Sequence, residues 1–164
     1  YICDSFLMER VERYDVKGKR YIESPYKYYF VDLGLRNARL NFRQLEYTHM
    51  MENVVYNELR VRGFNVDVGV VPVLKRDENG KMTRSQLEID FICNQGSRRY
   101  YIQSAYRMPT EEKVQQEEAS LRKVDDSFKK IVILGEDILV RRNDDGITTM
   151  SIYDFLLNSG SLDL

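Results

Sequence analysis

The spacing of apolar and polar positions predicts four helices after the N-terminal 24 residues. The clearest spans about residues 44–62, where apolar side chains recur every three or four residues before Gly63. A short helix is predicted over LRNARL. A polar helix is predicted over TEEKVQQEEASLRKV, with Thr110 as N-cap and acidic residues in its first turn. Ser151 is expected to cap a C-terminal helix, SIYDFLLNS.

Strands are predicted where aromatic and β-branched residues cluster between turn residues. The segments are the start of KYYFVDLGL, FNVDVGVVPVL, QLEIDFICN, RRYYIQSAY, KKIVILG and a last hairpin with Asp145-Gly146 at its turn. The order is helix, three strands, helix, strand. It predicts a mixed β-sheet flanked by helices on both faces, which is an α/β domain.

The first 24 residues allow two interpretations. ICDSFLMER is typical of the end of a helix, and VERYDV and RYIES form a predicted hairpin around KGK. A helix leading into a two-stranded wing is typical of the tail of a winged-helix domain. The alternative is an N-terminal hairpin of the main domain. We predict a boundary between residues 1–24 and a main domain over 25–164.

Composition and charge narrow the classes of function. The 25 basic and 26 acidic residues give a formal net charge of −1, so any nucleic-acid contact would need local patches. Arg98 and Arg99 are candidates for phosphate contacts, although charged turn ends explain them equally well. One histidine argues against a zinc site, and the two cysteines are expected to be buried free thiols.

No apolar run has the length of a transmembrane helix, and no secretory signal opens the chain. A cytoplasmic protein without a membrane partner is therefore expected. The chain opens on Tyr1 rather than Met, which favours a fragment of a longer protein.

Three polar residues fall on neighbouring predicted elements. Glu52 lies on the long helix, Asp90 shares one strand face with Glu88, and Gln103 lies on the next strand. Oxygen ligands of this kind suit Mg²⁺, which can orient water for phosphodiester hydrolysis. Each residue also has an ordinary explanation, as a solvent-facing carboxylate or a hydrogen-bonding strand residue.

The chain resembles a known family over nearly its whole length. The segments KYYFVDLGLRN, MENVVYNELRVRGFNV, LEIDFI and YYIQSAYRMP resemble the restriction-endonuclease-like (PD-(D/E)xK) domain of unknown function at the C-terminus of bacterial and archaeal AAA+ ATPases. The resemblance implies that fold and an upstream ATPase domain in the same chain. No Walker A sequence is present, so ATP is expected only in that upstream part.

By this resemblance, Glu52 matches the helix glutamate, Asp90 the metal-binding aspartate and Gln103 the acidic or glutamine position. Ala105 stands where the nuclease pattern has lysine, and its methyl group cannot stabilise a phosphate charge. Arg107 is the candidate substitute, although its pKa is too high for a base. Asp90 and Gln103 are the expected ligands if Mg²⁺ or Mn²⁺ binds; no other cofactor is expected in this fragment.

We therefore expect a degenerate nuclease site in a catalytically inactive fragment that binds nucleic acid or a protein under control of the ATPase. One alternative is an active Mg²⁺- or Mn²⁺-dependent nuclease, with Glu52 positioning a metal-bound water. The other is a purely structural module that mediates self-association or docks a regulatory partner.

Overall fold

The computed structural model describes residues 3, 5–76 and 80–164. The described strands form one eight-stranded mixed sheet in the order β2-β1-β3-β4-β5-β6-β8-β7. The pairs β1–β3, β5–β6 and β6–β8 are parallel, and the other four are antiparallel. The elements are β1 (Met8–Asp15), β2 (Arg20–Phe30), α1 (Leu33–Arg39), α2 (Tyr47–Val61), β3 (Asn65–Arg76), β4 (Met82–Gln95), β5 (Arg98–Ala105), α3 (Glu111–Arg122), β6 (Lys129–Leu134), β7 (Arg141–Arg142), β8 (Ile147–Ser151) and α4 (Ile152–Leu157).

Each face of the sheet buries its own apolar core. The α2 face holds residues such as Val55, Leu59 and Phe91, whereas the α3 face holds Ile92 and Leu121. Burial of these side chains is the main stabilising contribution to the fold. The prediction of an α/β domain with a mixed sheet is confirmed.

The helix boundaries follow their capping residues. Helix α2 ends just before Gly63, whose φ of +83° is favourable for glycine. Thr110 caps α3 by accepting from the backbone N–H of Lys113, and Ser151 caps α4 by accepting from that of Tyr153. Both predicted caps are confirmed.

The N-terminal segment differs from the prediction. A helix was expected over residues 2–10, but Met8–Arg10 already belong to β1, and Cys3 and residues 5–7 lie in turns or bends; residues 1, 2 and 4 lie outside the described part. The expected hairpin is present. Strand β2 crosses the predicted boundary between residues 24 and 25, and β1 pairs with β3 of the main sheet. Because its backbone is paired within this sheet, the hairpin is arranged as an N-terminal hairpin of the main domain would be.

Both cysteines are free, as expected. Only Cys93 is buried; Cys3 is exposed, so the expectation of burial was wrong for Cys3.

Candidate functional site

Helix α2 is fixed to the edge strand β2 by two asparagines. The Asn53 side chain accepts from the backbone N–H of Phe30 (2.8 Å) and donates to its carbonyl oxygen (2.7 Å). Asn57 donates to the carbonyl oxygens of Phe30 and Val31, both at 3.1 Å. An asparagine amide can donate and accept at once, so it completes the unpaired edge of a strand. These bonds set the position of Glu52, the residue before Asn53.

Two β2 side chains meet Glu52 on the α2 face of the sheet. Lys27 and Tyr29 are two residues apart on the strand and therefore point to the same side. The Tyr29 hydroxyl donates to Glu52 Oε1 at 2.6 Å, and its ring stacks on Tyr56 with centroids 4.2 Å apart. Burial and the Glu52 carboxylate raise the pKa of the Tyr29 hydroxyl far above its usual value, so the phenol remains a donor.

The Lys27 ammonium lies among three carboxylates. Its Nζ is 2.6 Å from Glu52 Oε1, 2.9 Å from Glu88 Oε1 and 3.8 Å from Asp90 Oδ1. Arg13 closes the outer side, with its guanidinium 2.5 Å from Glu88 Oε2. We call Lys27, Glu52, Glu88 and Asp90 the lysine–carboxylate cluster. Its ammonium is shared chiefly between Glu52 and Glu88, because 3.8 Å is too long for a hydrogen bond.

Asp90 enters the cluster through a β-bulge in β4. Ile92 pairs with Asp67 and Ile89 pairs with Gly69, so β4 uses one more residue than β3 over this interval. The bulge places Asp90 and Phe91 on the same face, as Phe91 belongs to the α2-side core and Ile89 and Ile92 to the other. The simple alternation expected along LEIDFICN is therefore broken at Asp90.

The bulge also separates Gln103 from the lysine–carboxylate cluster. Asp90 Oδ2 accepts from the backbone N–H of Ser104 at 2.8 Å, and the backbone N–H of Asp90 donates to Gln103 Oε1 at 3.4 Å. Gln103 Nε2 donates to Glu117 of α3 at 3.4 Å. Gln103 thus supports the Asp90 backbone from the α3 side. The prediction that Asp90 and Gln103 bind a metal remains a prediction.

Charge and burial together set the protonation of the cluster. Burial is the largest effect on Asp90 and, with the charge of Glu52, raises its pKa to about 7, although Lys27 and the Ser104 hydrogen bond oppose this. Burial alone would lower the pKa of Lys27, but Glu52 and Asp90 outweigh it and raise that pKa. Lys27 therefore stays positively charged at neutral pH.

The two positions tied to the missing lysine lie outside the cluster. Ala105 is buried in the α3-side core, 3% exposed. The Arg107 guanidinium lies 5.5 Å from the ring centroid of Tyr106, and within the described residues it forms no ion pair with the cluster. The cation at this site is Lys27, which the sequence did not predict.

Arg98 and Arg99 lie toward the opposite end of β5 from Gln103, roughly 13–17 Å away for four or five strand residues. The Arg98 guanidinium donates a hydrogen bond to the Gln95 side-chain oxygen and lies 3.8 Å from an Asp163 carboxylate oxygen. Arg99 donates to Asn94 at 2.7 Å. Their predicted role in nucleic-acid binding remains a prediction, and they form no part of the carboxylate site.

The sequence reasoning missed Lys27, Tyr29 and Arg13 as members of this site. One signal was available. Lys27 and Tyr29 are two residues apart on an aromatic strand and share a face, and a lysine that faces a core implies a buried acidic partner. Glu88 was placed on the correct face, but its partners were not foreseen.

As arranged, the carboxylates do not fit a resident metal ion. Mg²⁺ needs carboxylate oxygens directed at one point, about 2.0–2.1 Å from the ion. Here the Lys27 ammonium occupies the position between Glu52 and Glu88. Among the described residues, no group of three or more His, Cys, Asp or Glu side chains is placed to hold a metal ion.

None of the described helices is both long and apolar enough to span a membrane.

Comparisons with known proteins identify relatives without a described activity. The chain is 33% identical over 154 residues to an uncharacterized protein of Haemophilus influenzae, an alignment covering 94% of this chain and 34% of that protein. The chain thus spans about a third of that relative's length. No solved structure matched the chain. Residues 47–155 match the family described as Domain of unknown function (DUF4143), and they include α2, Asp90 and Gln103. Because this match covers well over half of the sequence, the chain belongs to that family.

Proposed function

We propose that this chain is a catalytically silent, restriction-endonuclease-like domain that acts by binding rather than by cleaving phosphodiesters. The observation that carries the proposal is the placement of the Lys27 ammonium, 2.6 Å from Glu52 and 2.9 Å from Glu88. The cluster contains its own cation where a metal-dependent nuclease needs an exchangeable one.

The free-energy cost of binding a metal ion in the lysine–carboxylate cluster supports a catalytically silent site. An incoming divalent ion would have to displace Lys27 from two short ion pairs and leave its ammonium in a site that is largely shielded from water. Removing one partner of a fully buried pair costs about 3–5 kcal/mol, and the cost here is smaller because the Lys27 side chain is 25% exposed. Asp90, with its pKa raised to about 7, is also partly protonated at neutral pH. Both effects lower the affinity for Mg²⁺ and Mn²⁺.

The resemblance to the C-terminal domain of AAA+ ATPases extends the proposal to the parent protein. In that arrangement an upstream ATPase domain binds ATP and controls this domain, a winged helix precedes the β1–β2 hairpin, and the protein is cytoplasmic. The Haemophilus influenzae relative is consistent with a longer parent, since this chain aligns with 34% of it.

Calorimetric titration of Mn²⁺ into the wild-type chain and a Lys27→Met variant tests the silent site. The proposal expects no measurable binding to the wild type and binding to Lys27→Met, which a Lys27→Met/Asp90→Asn double variant loses. Arg107→Gln is the matched control and should behave as the wild type. Thermal melts establish that each variant is folded, and Lys27→Gln replaces Lys27→Met if the latter unfolds.

An active nuclease would give the opposite pattern. The wild type would bind Mn²⁺ and cleave DNA or RNA, Asp90→Asn would abolish cleavage, and Lys27→Met would abolish it too. Lys27 would then supply the cation that Ala105 cannot. That result would overturn the silent site.

A further inference from the structure

A basic groove lies between the β1–β2 turn and the β3–β4 hairpin. Its volume is about 640 Å³, and its floor is formed by three apolar β3 residues, Pro72 to Leu74. Four cationic side chains from three parts of the chain line it: Lys17, Arg20, Arg84 and Lys123. We call these four residues the groove cations.

Within the described residues, the groove cations have no acidic partner in an ion pair. All four are exposed. Among the described residues that line the groove, Asp15 is the one acidic residue, and it accepts from the backbone N–H groups of Lys17 (3.1 Å) and Gly18 (2.8 Å). Its carboxylate thus shapes the turn that carries Lys17. The formal charge of the groove is +3, from four cations and one carboxylate, in a chain of net charge −1.

The positive surface continues into a neighbouring cavity of about 450 Å³. Lys17 and Lys123 line both cavities, and Lys19 adds a fifth cation. The acidic residues there are Asp125 and Asp126, of which Asp126 accepts a hydrogen bond from the Tyr101 hydroxyl at 2.5 Å. The two cavities therefore adjoin, and together they carry five lysine and arginine side chains.

This surface is separate from the lysine–carboxylate cluster. Val73 packs against the α3-side core, and Lys123 directly follows α3, whereas Lys27 and Glu52 lie on the α2 face. Removing groove charges therefore leaves the cluster intact.

We propose that the groove cations bind the phosphodiester backbone of a nucleic acid. A backbone presents repeated negative charges along a line, which matches cations spread over two adjoining cavities better than one isolated phosphate would. The concave shape fits a strand better than a flat anionic membrane. The inference names a partner for the binding role proposed above, and it rests on that role. We expect the groove cations to contact phosphates and so to position a strand without recognising its base sequence.

The test measures binding of a labelled single-stranded and duplex oligonucleotide of about 20 nucleotides to the 164-residue chain, at several salt concentrations. The groove variant is Lys17→Gln/Arg84→Gln, which removes two exposed charges from different elements. The matched control is Arg141→Gln/Arg142→Gln, which removes the same charge from β7. Neither variant removes an ion pair within the described residues, so both should fold as the wild type does.

We expect the wild type to bind with an affinity that falls as salt rises. The slope of log affinity against log salt should lose about 2 in the groove variant, about 1 per phosphate contact. The control should keep the wild-type slope. Absence of binding at low salt, or equal loss in both variants, would overturn the inference. Binding only to vesicles containing phosphatidylserine, lost in the groove variant, would also overturn it by assigning the groove to a membrane.

The same samples distinguish failure of this inference from failure of the proposed silent site. Cleavage of the oligonucleotide with Mg²⁺ present, abolished by Asp90→Asn, would refute the silent site while leaving the groove intact. If the wild type neither binds the oligonucleotide at low salt nor cleaves it, the groove inference is refuted while the silent site still stands.

Discussion

Replacing Asp90 with asparagine is expected to stabilise the fold at alkaline pH. The side chain is buried, and burial together with the charge of Glu52 raises its pKa from 3.8 to about 7. Ionised Asp90 is therefore less favourable in the folded chain than in the unfolded one. At about 1.4 kcal/mol per pKa unit, the interval bounds the cost at about 4 kcal/mol. Asparagine carries no charge, and its amide oxygen can still accept from the Ser104 N–H.

The pH window of this effect follows from the two pKa values of Asp90. Below about pH 4 the carboxyl is protonated in both states and costs nothing. Between about pH 4 and 7 the unfolded chain ionises while the folded chain holds its proton, so this group lowers the free energy of unfolding as pH rises. Above about pH 7 both states are ionised and the cost is constant. The advantage of Asp90→Asn should thus grow from acid to neutral pH and then level off.

Urea unfolding followed by circular dichroism from pH 4 to 8 measures this advantage. Glu88→Gln is the control of opposite sign. Burial opposes ionisation of Glu88, but the hydrogen bonds and charges of Lys27 and Arg13 outweigh it and lower its pKa. Glu88 therefore stabilises the fold above its unfolded pKa, and this is lost on acidification. An equal effect of Asp90→Asn on the free energy of unfolding at pH 5 and pH 8, or a greater destabilisation at pH 8, would refute the raised pKa of Asp90.

Two further substitutions test how the site is held. Asn53→Ala should lower the free energy of unfolding by about 2–4 kcal/mol, because it leaves the Phe30 N–H without its partner and removes one bond to its carbonyl oxygen. Asn57→Ala should cost clearly less in the same urea titration, and equal losses would contradict the assigned role of Asn53. Gly69→Ala should cost about 1–3 kcal/mol in thermal or urea unfolding, since its Cβ would lie 2.8 Å from that of buried Ile89. An unchanged stability would show that the strand can move at the bulge.

The regular elements could be predicted because their signals are local. Apolar spacing, Gly63 and the two caps defined α2, α3 and α4 without knowledge of any contact between elements. The helix expected over residues 2–10 failed where sheet pairing decided the outcome. Met8 and Glu9 pair with Phe30 and Tyr29 on β2, and these ladder bonds outweigh the helical preference of a short segment.

The candidate site was only half predictable for a related reason. Glu52 and Asp90 were found because they fit a family pattern, and both do reach the cluster. Whether Asp90 shares a face with Gln103 depends on a bulge of one residue in β4, since a shift of one residue reverses the face of a strand side chain. The sequence carries no local signal for that bulge except Gly69, which pairs with Ile89 at its edge.

Lys27 shows why the missing lysine could not be located by counting along β5. The ammonium reaches the cluster because β2 lies at the sheet edge beside α2, and β2 is joined to the sheet only through β1. That order is a property of the whole sheet, set by the antiparallel β1–β2 hairpin and the parallel β1–β3 pairing. The same hairpin brings Arg13 to Glu88, so both cations that contact the carboxylates come from residues 8–30. The site therefore depends on the N-terminal hairpin, because without β1 neither Lys27 nor Arg13 would be held against the carboxylates.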